Sequence, residues 1–269
     1  MERSSSTGER ATPPSRLSGW RPFSNDEASW RTPERRQHGL TIILPGIEGA
    51  SWFNRSIARG LLDADHESAI VIEDWTTGYW PLFPYHLMAI ERNRGQAQRI
   101  AETILEYQAS HPDRPVCLIG HSGGGAMAVL VLESLPPGAA VSRTILLGAA
   151  LSPQYDLRTA LRRCNEGLWN VHSPGDIVYL AAGTLTLGTI DRVHTVSAGC
   201  LGFDIPQGLE ESDRRLYEHR LHQVPYELRM AQSWNLGGHF GFVNRTFVAD
   251  WIAPLVGKVK KTADRIQDQ

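Results

Sequence analysis

The sequence predicts an α/β fold with a mostly parallel central sheet and helices on both faces. Three observations lead there. Short β-branched apolar runs alternate with segments of helical periodicity over much of the chain, the pattern of βαβ units. Those runs are apolar at consecutive positions, as strands covered on both faces require. Several of them end in glycine, serine, aspartate or histidine. That puts chemistry-bearing residues beyond the carboxyl ends of the strands, where an open parallel sheet binds ligands. With 269 residues, 41% of them hydrophobic, the chain suits one large domain.

Residues 1–37 read as a poorly ordered or loosely attached arm, polar except for Trp20, Phe23 and Trp30, which would tack it onto the domain. The domain is expected over 38–256, and 257–269 is a polar tail. Residues 39–45 form a buried strand that runs into Pro45, Gly46, Ile47, Glu48 and Gly49. Ser51 is placed to cap a helix over 53–62, with Phe53, Ile57, Leu61 and Leu62 at near-helical spacing. Residues 68–72 are a second strand, followed by a long aromatic connection over 74–85. A helix over 95–110 has Ala97, Ile100, Ala101, Ile104 and Tyr107 as its apolar stripe, and Pro112 stops it. The central strand is 116–119, with a helix over 126–135 after it. A strand over 141–149, a short helix over 156–163 and a strand over 168–172 continue the alternation. Beyond that, 194–198 is the next expected strand, 209–221 a charged helix, 225–234 a strand or edge hairpin, and 243–255 a closing helix.

Composition excludes several classes of partner and cofactor. The formal net charge is -2, so there is no basic field to hold nucleic acid. No run of roughly 18 apolar residues predicts a membrane span. No secretory h-region is visible near the start, so a cytoplasmic protein is the default expectation. The three cysteines cannot all pair, and none has metal-ligand spacing with another. The glycine-rich stretch lacks both the lysine of a P-loop and the spacing of a dinucleotide fingerprint, and no cofactor is expected. The partner expected is a small molecule; the oligomeric state is left open.

The chemistry centres on Gly120-His121-Ser122-Gly123-Gly124. An apolar strand runs straight into it and a helix leaves it at once, so Ser122 sits at the apex of a sharp strand-to-helix turn. Such a turn lifts a hydroxyl clear of the sheet. Gly120 and Gly124 let the helix return against the strand, and the Gly123 amide, at the helix start, can face a developing anion. A serine hydroxyl is a poor nucleophile without a base, and the base needs a third group to orient it. Downstream, Asp176 follows a strand and His239 precedes the last helix, giving the order Ser, Asp, His. Asp156, after the previous strand, is the rival for the acid.

On these residues the sequence resembles the serine α/β-hydrolases of the esterase and lipase type, over about 38–256. The resemblance implies an α/β-hydrolase fold and a serine hydrolase that cleaves carboxylic esters through an acyl-enzyme. It implies Ser122 as nucleophile, His239 as base, Asp176 as acid, and the backbone amides of Ile47 and Gly123 as oxyanion hole. A thioesterase or acyltransferase on the same triad is the alternative within that resemblance. A non-catalytic ligand-binding protein that kept the fold is the alternative outside it. Two departures stand out. Pro45-Gly46 replaces the family's frequent His-Gly, and Glu48 puts a carboxylate beside the proposed oxyanion site, with Arg55 its expected partner. The spacing from Asp176 to His239 implies an insertion, or partial lid, within 179–230. The connection after the second strand brings Trp75, Tyr79, Trp80, Phe83 and Tyr85 to the same edge, either as walls of an apolar pocket or as packing for the loop. His121 is expected to point away from the site.

Overall fold

The computed structural model describes residues 27–176, 189–193 and 195–257. Among the described residues, six parallel strands form one sheet: β1 (Leu40–Leu44), β2 (Ala69–Ile72), β3 (Val116–His121), β4 (Val141–Leu147), β5 (Cys164–His172) and β6 (Leu221–Pro225), in the spatial order β2-β1-β3-β4-β5-β6. Each parallel pair needs a crossover, and the intervening helices supply it.

Both faces of the sheet are covered, which is why the strands read as continuous apolar runs. Leu40, Ile42, Leu44, Leu118 and Leu146 point into one buried cluster, while Ile43, Ile119, Ile145 and Leu147 point into the other. The first face is packed by helices over Ile90–Ser110, Gly123–Ser134 and Arg158–Arg162. The expected stripe Ala97, Ile100, Ala101, Ile104 and Tyr107 lies wholly in that cluster. The second face is packed by the helix Trp52–Asp63, through Ile57, Ala58 and Leu61, and by the closing helix through Phe247, Val248, Ile252 and Ala253. Ser51 and Asn54 form a capping box at the start of Trp52–Asp63. The closing helix passes through a π turn at Val248–Ile252 immediately before Pro254. Proline has no N–H to return to the carbonyl four residues back, and the ladder widens there.

Three expectations change. The next strand after β5 is not at 194–198. His194 lies outside the described residues, and Ala198–Leu201 is a short helix pressed on the turn after β4, with Gly199 N–H bonded to Ala149 C=O at 3.0 Å. The sixth strand is Leu221–Pro225, ahead of the 225–234 stretch, whose residues Leu228–Ser233 form a 3₁₀ helix. It was hard to read because it is an edge strand: its burial alternates, His222 stacks on Trp169 at 4.6 Å, and two of its five residues are His and Gln. Finally, the arm is folded onto the domain from Glu27 onward. Trp30 is buried in the second cluster, and Tyr107 O–H donates to Arg36 C=O at 2.6 Å. Trp20 and Phe23 lie outside the described residues. Within 179–230, the described part contains Ala198–Leu201, the helix Glu211–Arg220 and β6. No helix among the described residues is long and apolar enough to cross a membrane.

Candidate active site

Ser122 stands at the end of β3 with φ 55° and ψ -119°. Those angles belong to the first central residue of a type II′ turn, which glycine ordinarily supplies. An L side chain there is strained, and the surroundings must hold it. Backbone hydrogen bonds do so on both sides. Ser122 N–H donates to Leu147 C=O at 2.9 Å, and Ser122 C=O accepts from Gly125 N–H at 2.9 Å and Ala150 N–H at 3.1 Å. The return of the helix Gly123–Ser134 against β1 leaves no room for side chains. A Cβ on Gly124 would sit 2.1 Å from Leu44 C=O, and one on Gly120 would sit 2.2 Å from Gly124 C=O. Gly123 opens that helix directly after Ser122.

Ile47 lies beside that amide. A Cβ built on Gly123 would be 3.5 Å from the Ile47 nitrogen, so the two backbone groups expected to act together are neighbours. Across the same edge, β5 ends at His172 and a single 3₁₀ turn, Pro174–Asp176, carries Asp176. Asp176 is fully buried, and His239 Nδ1 lies 2.9 Å from its carboxylate. With the Nδ1 proton donated to that carboxylate, Nε2 is the ring nitrogen that carries the lone pair. Burial disfavours the imidazolium and holds the His239 pKa below its ordinary 6.5.

The turn that carries His239 is pinned from three sides. Ser173 O–H donates to Gly237 C=O at 2.6 Å, Gly237 N–H donates to Asn235 Oδ1 at 3.0 Å, and His121 Nε2–H donates to His239 C=O at 3.3 Å. His121 also lies ring to ring with His239, centroids 4.6 Å apart. The residue before Ser122 is therefore in direct contact with His239, which sets the histidine beside the serine turn. His121 does not point away into packing alone.

Asp156 is elsewhere. It is half-exposed and binds Arg158, with the closest contact 2.6 Å, in a group that also holds Asp213 and Tyr217. Of the two candidate acids, the structure brings Asp176 to His239 and not Asp156.

Glu48 does not reach Arg55, which pairs instead with Glu27 at 2.7 Å, a partner supplied by the arm. The Glu48 carboxylate folds back on its own turn, accepting from the N–H groups of Gly46 and Glu48. Its Oε1 is buried without a hydrogen-bond partner. Burial, assisted by Asp74, raises its pKa above the ordinary carboxylate value. A raised folded-state pKa favours folding of the protonated form. That advantage is full below the unfolded pKa of about 4.3 and is lost as pH rises through the folded value. Glu48→Gln is therefore expected to raise Tm at pH 8 by about 2–4 °C, an effect of order 1 kcal/mol for a chain this size. It should leave Tm unchanged at pH 4. Thermal melts at the two pH values check this.

The aromatic connection divides. Trp75 is fully buried beneath the site, its indole N–H donating to Pro45 C=O at 2.7 Å and its ring edge 3.3 Å from where a Gly123 Cβ would be. Tyr79 and Tyr85 are exposed, at 62% and 48%. The side chains of Trp80 and Phe83 lie outside the described residues. A second apolar rim, not anticipated, forms where Phe240 stacks on Phe53 at 4.6 Å and Phe53 meets Trp52 at 4.1 Å. His86 and Asn93 are both buried, and no sequence motif surrounds them.

No family model and no curated protein matches the chain. Among solved structures, a dienelactone hydrolase-like promiscuous phosphotriesterase from metagenomic libraries is similar at 14% identity. It covers 82% of this chain and 86% of its own, with TM-score 0.44. The LpqC poly(3-hydroxybutyrate) depolymerase of Bordetella parapertussis is 14% identical over 85% of this chain and 82% of its own, TM-score 0.46. A lipase-esterase related protein of Clostridium acetobutylicum is 14% identical over 82% and 96%, TM-score 0.42. The chain's own geometry is more specific: a parallel sheet ordered 2-1-3-4-5-6, a serine in a strained turn between the third strand and its helix, and an Asp–His pair carried beyond later strands are the α/β-hydrolase fold.

Proposed function

We propose that the protein is a serine hydrolase that cleaves carboxylic esters through an acyl-enzyme. The observation that carries the reading is the buried Asp176–His239 hydrogen bond, held through His121 against the strained turn of Ser122. Ser122 Oγ bonds to the ester carbonyl carbon as His239 Nε2 takes its proton. The carbonyl electron pair moves to oxygen, to which the amide N–H groups of Gly123 and Ile47 donate hydrogen bonds; each such donor is worth on the order of 3 kcal/mol. The intermediate collapses, the alcohol leaves with the proton from His239, and water repeats the sequence on the acyl group. Asp176 holds His239 in the tautomer this requires. The exposed rings of Trp52 (61%) and Phe240 (42%) support an apolar group on the substrate.

A fluorophosphonate probe tests the reading. The folded protein is expected to give a single adduct on Ser122 by mass spectrometry and to hydrolyse p-nitrophenyl esters until labelled. Absence of an adduct on Ser122 in folded protein sinks the proposal.

A further inference from the structure

The structure assigns His86 as a positioning residue for the Ile47 amide, an inference that rests on the oxyanion role proposed above. The Ile47 N–H belongs to the Gly46–Ile47 peptide, and the peptides on either side are both held by ring N–H donors. Trp75 Nε1–H donates to Pro45 C=O at 2.7 Å, and His86 Nδ1 lies 2.9 Å from Ile47 C=O. The tautomer of His86 follows from its other contacts. Thr77 N–H, which can only donate, faces His86 Nε2 at 3.1 Å, with the Thr77 hydroxyl at 2.8 Å from the same atom. Nε2 is therefore the acceptor, and Nδ1 carries the proton that Ile47 C=O receives. Asn93 Nδ2 donates to His86 C=O at 2.7 Å and fixes the backbone behind the ring.

The burial of His86 is at odds with its setting. It is 1% exposed, on a one-turn-and-a-half helix, Phe83–Met88, where Tyr85 and Met88 are 48% and 51% exposed. An imidazole is turned inward there and spends both nitrogens on backbone and hydroxyl groups of the loops around the site. An oxyanion donor lowers the barrier only if it is already aimed before charge develops. The turn is closed by Gly49 N–H donating to Gly46 C=O at 3.1 Å, and His86 and Trp75 tie the peptides that flank Gly46–Ile47, one on each side. Both come from the connection after β2, so this stretch acts on the oxyanion turn.

His86→Leu removes the donor and His86→Asn restores an N–H near Nδ1. Both are compared as kcat per active site, with sites counted by fluorophosphonate titration, on a short p-nitrophenyl ester. His86→Leu is expected to lower kcat about tenfold with KM within twofold, less than loss of the donor itself. His86→Asn should recover most of that loss, and the Ki of a trifluoromethyl ketone, which forms an oxyanion, should follow kcat across the pair. Trp75→Phe should lower kcat in the same sense and stands in should His86→Leu fail to fold. Unchanged kcat per titrated site in His86→Leu, or in Trp75→Phe if that is the variant measured, overturns the assignment, as does an equal loss in His86→Leu and His86→Asn. If the wild-type protein gives no adduct on Ser122, the hydrolase reading itself falls, and this assignment with it.

Discussion

Ser122→Ala is expected to lower kcat/KM for a p-nitrophenyl ester by roughly 10⁴-fold or more, the scale seen when a triad nucleophile is removed. Its Tm should stay close to the wild-type value. Alanine keeps the same backbone burden, because the strain at φ 55° comes from the Cβ and not from the hydroxyl. Ser122→Gly separates the two roles. It should be equally inactive yet more stable, since releasing a strained residue returns about 1–3 kcal/mol, less up to about 1 kcal/mol for the greater freedom of glycine in the unfolded chain. Paired thermal melts and kinetics read this directly. Equal Tm values for the alanine and glycine variants would show that the turn is relaxed around the serine. Loss of activity with a gain in stability would mark position 122 as one where the chain is held in strain for chemistry.

Asp176→Asn is expected to lower kcat by roughly 10³–10⁴-fold, because an amide can hold His239 in the wrong tautomer and cannot stabilise the imidazolium. Asp156→Asn should leave kcat within about twofold. It breaks a half-exposed pair with Arg158, and such pairs contribute about 0–1 kcal/mol to stability. A large loss in Asp156→Asn with a small one in Asp176→Asn would reverse the assignment of the acid. The pH profile gives a second reading of the same pair. His239 must be neutral to take a proton, and burial lowers its pKa below 6.5. Activity lost on acidification should therefore fall away below that value, and kcat/KM at pH 6.5 should still be near its plateau. An acid limb centred above 6.5 would contradict a buried neutral base.

What the sequence alone determined was local. The run Leu40–Leu44 is apolar at every position but Thr41, and the sheet buries both of its sides. The stripe on Ile90–Ser110 has one period and therefore one buried face. Ser122 was legible because its turn needs glycine at 120 and 124 for backbone clearance, and residue types required by sterics show in the sequence. The order of Ser122, Asp176 and His239 followed from the alternation of strands and loops. The less regular elements depart from expectation for the same reason. Leu221–Pro225 is an edge strand with one wet side, so it lacks the continuous apolar run that marked the others.

The tertiary structure decided which distant groups meet. Asp156 and Asp176 both follow strands, and their sequence contexts do not separate them. The difference is that Arg158 and Tyr217 engage one while the register of β5 and the turn at 237–239 bring His239 to the other. Arg55 was the expected partner of Glu48, but the arm's Glu27 takes it, leaving Glu48 folded on its own turn. His86 is separated from Ile47 by 39 positions, with no motif between them to announce the contact. Spacing along a chain encodes periodicity and backbone clearance, because those depend on near neighbours. The partners of a carboxylate or an imidazole depend on which strand ends come to one edge of the sheet. That is a property of the packed whole, and it determined which carboxylate meets the histidine beside Ser122.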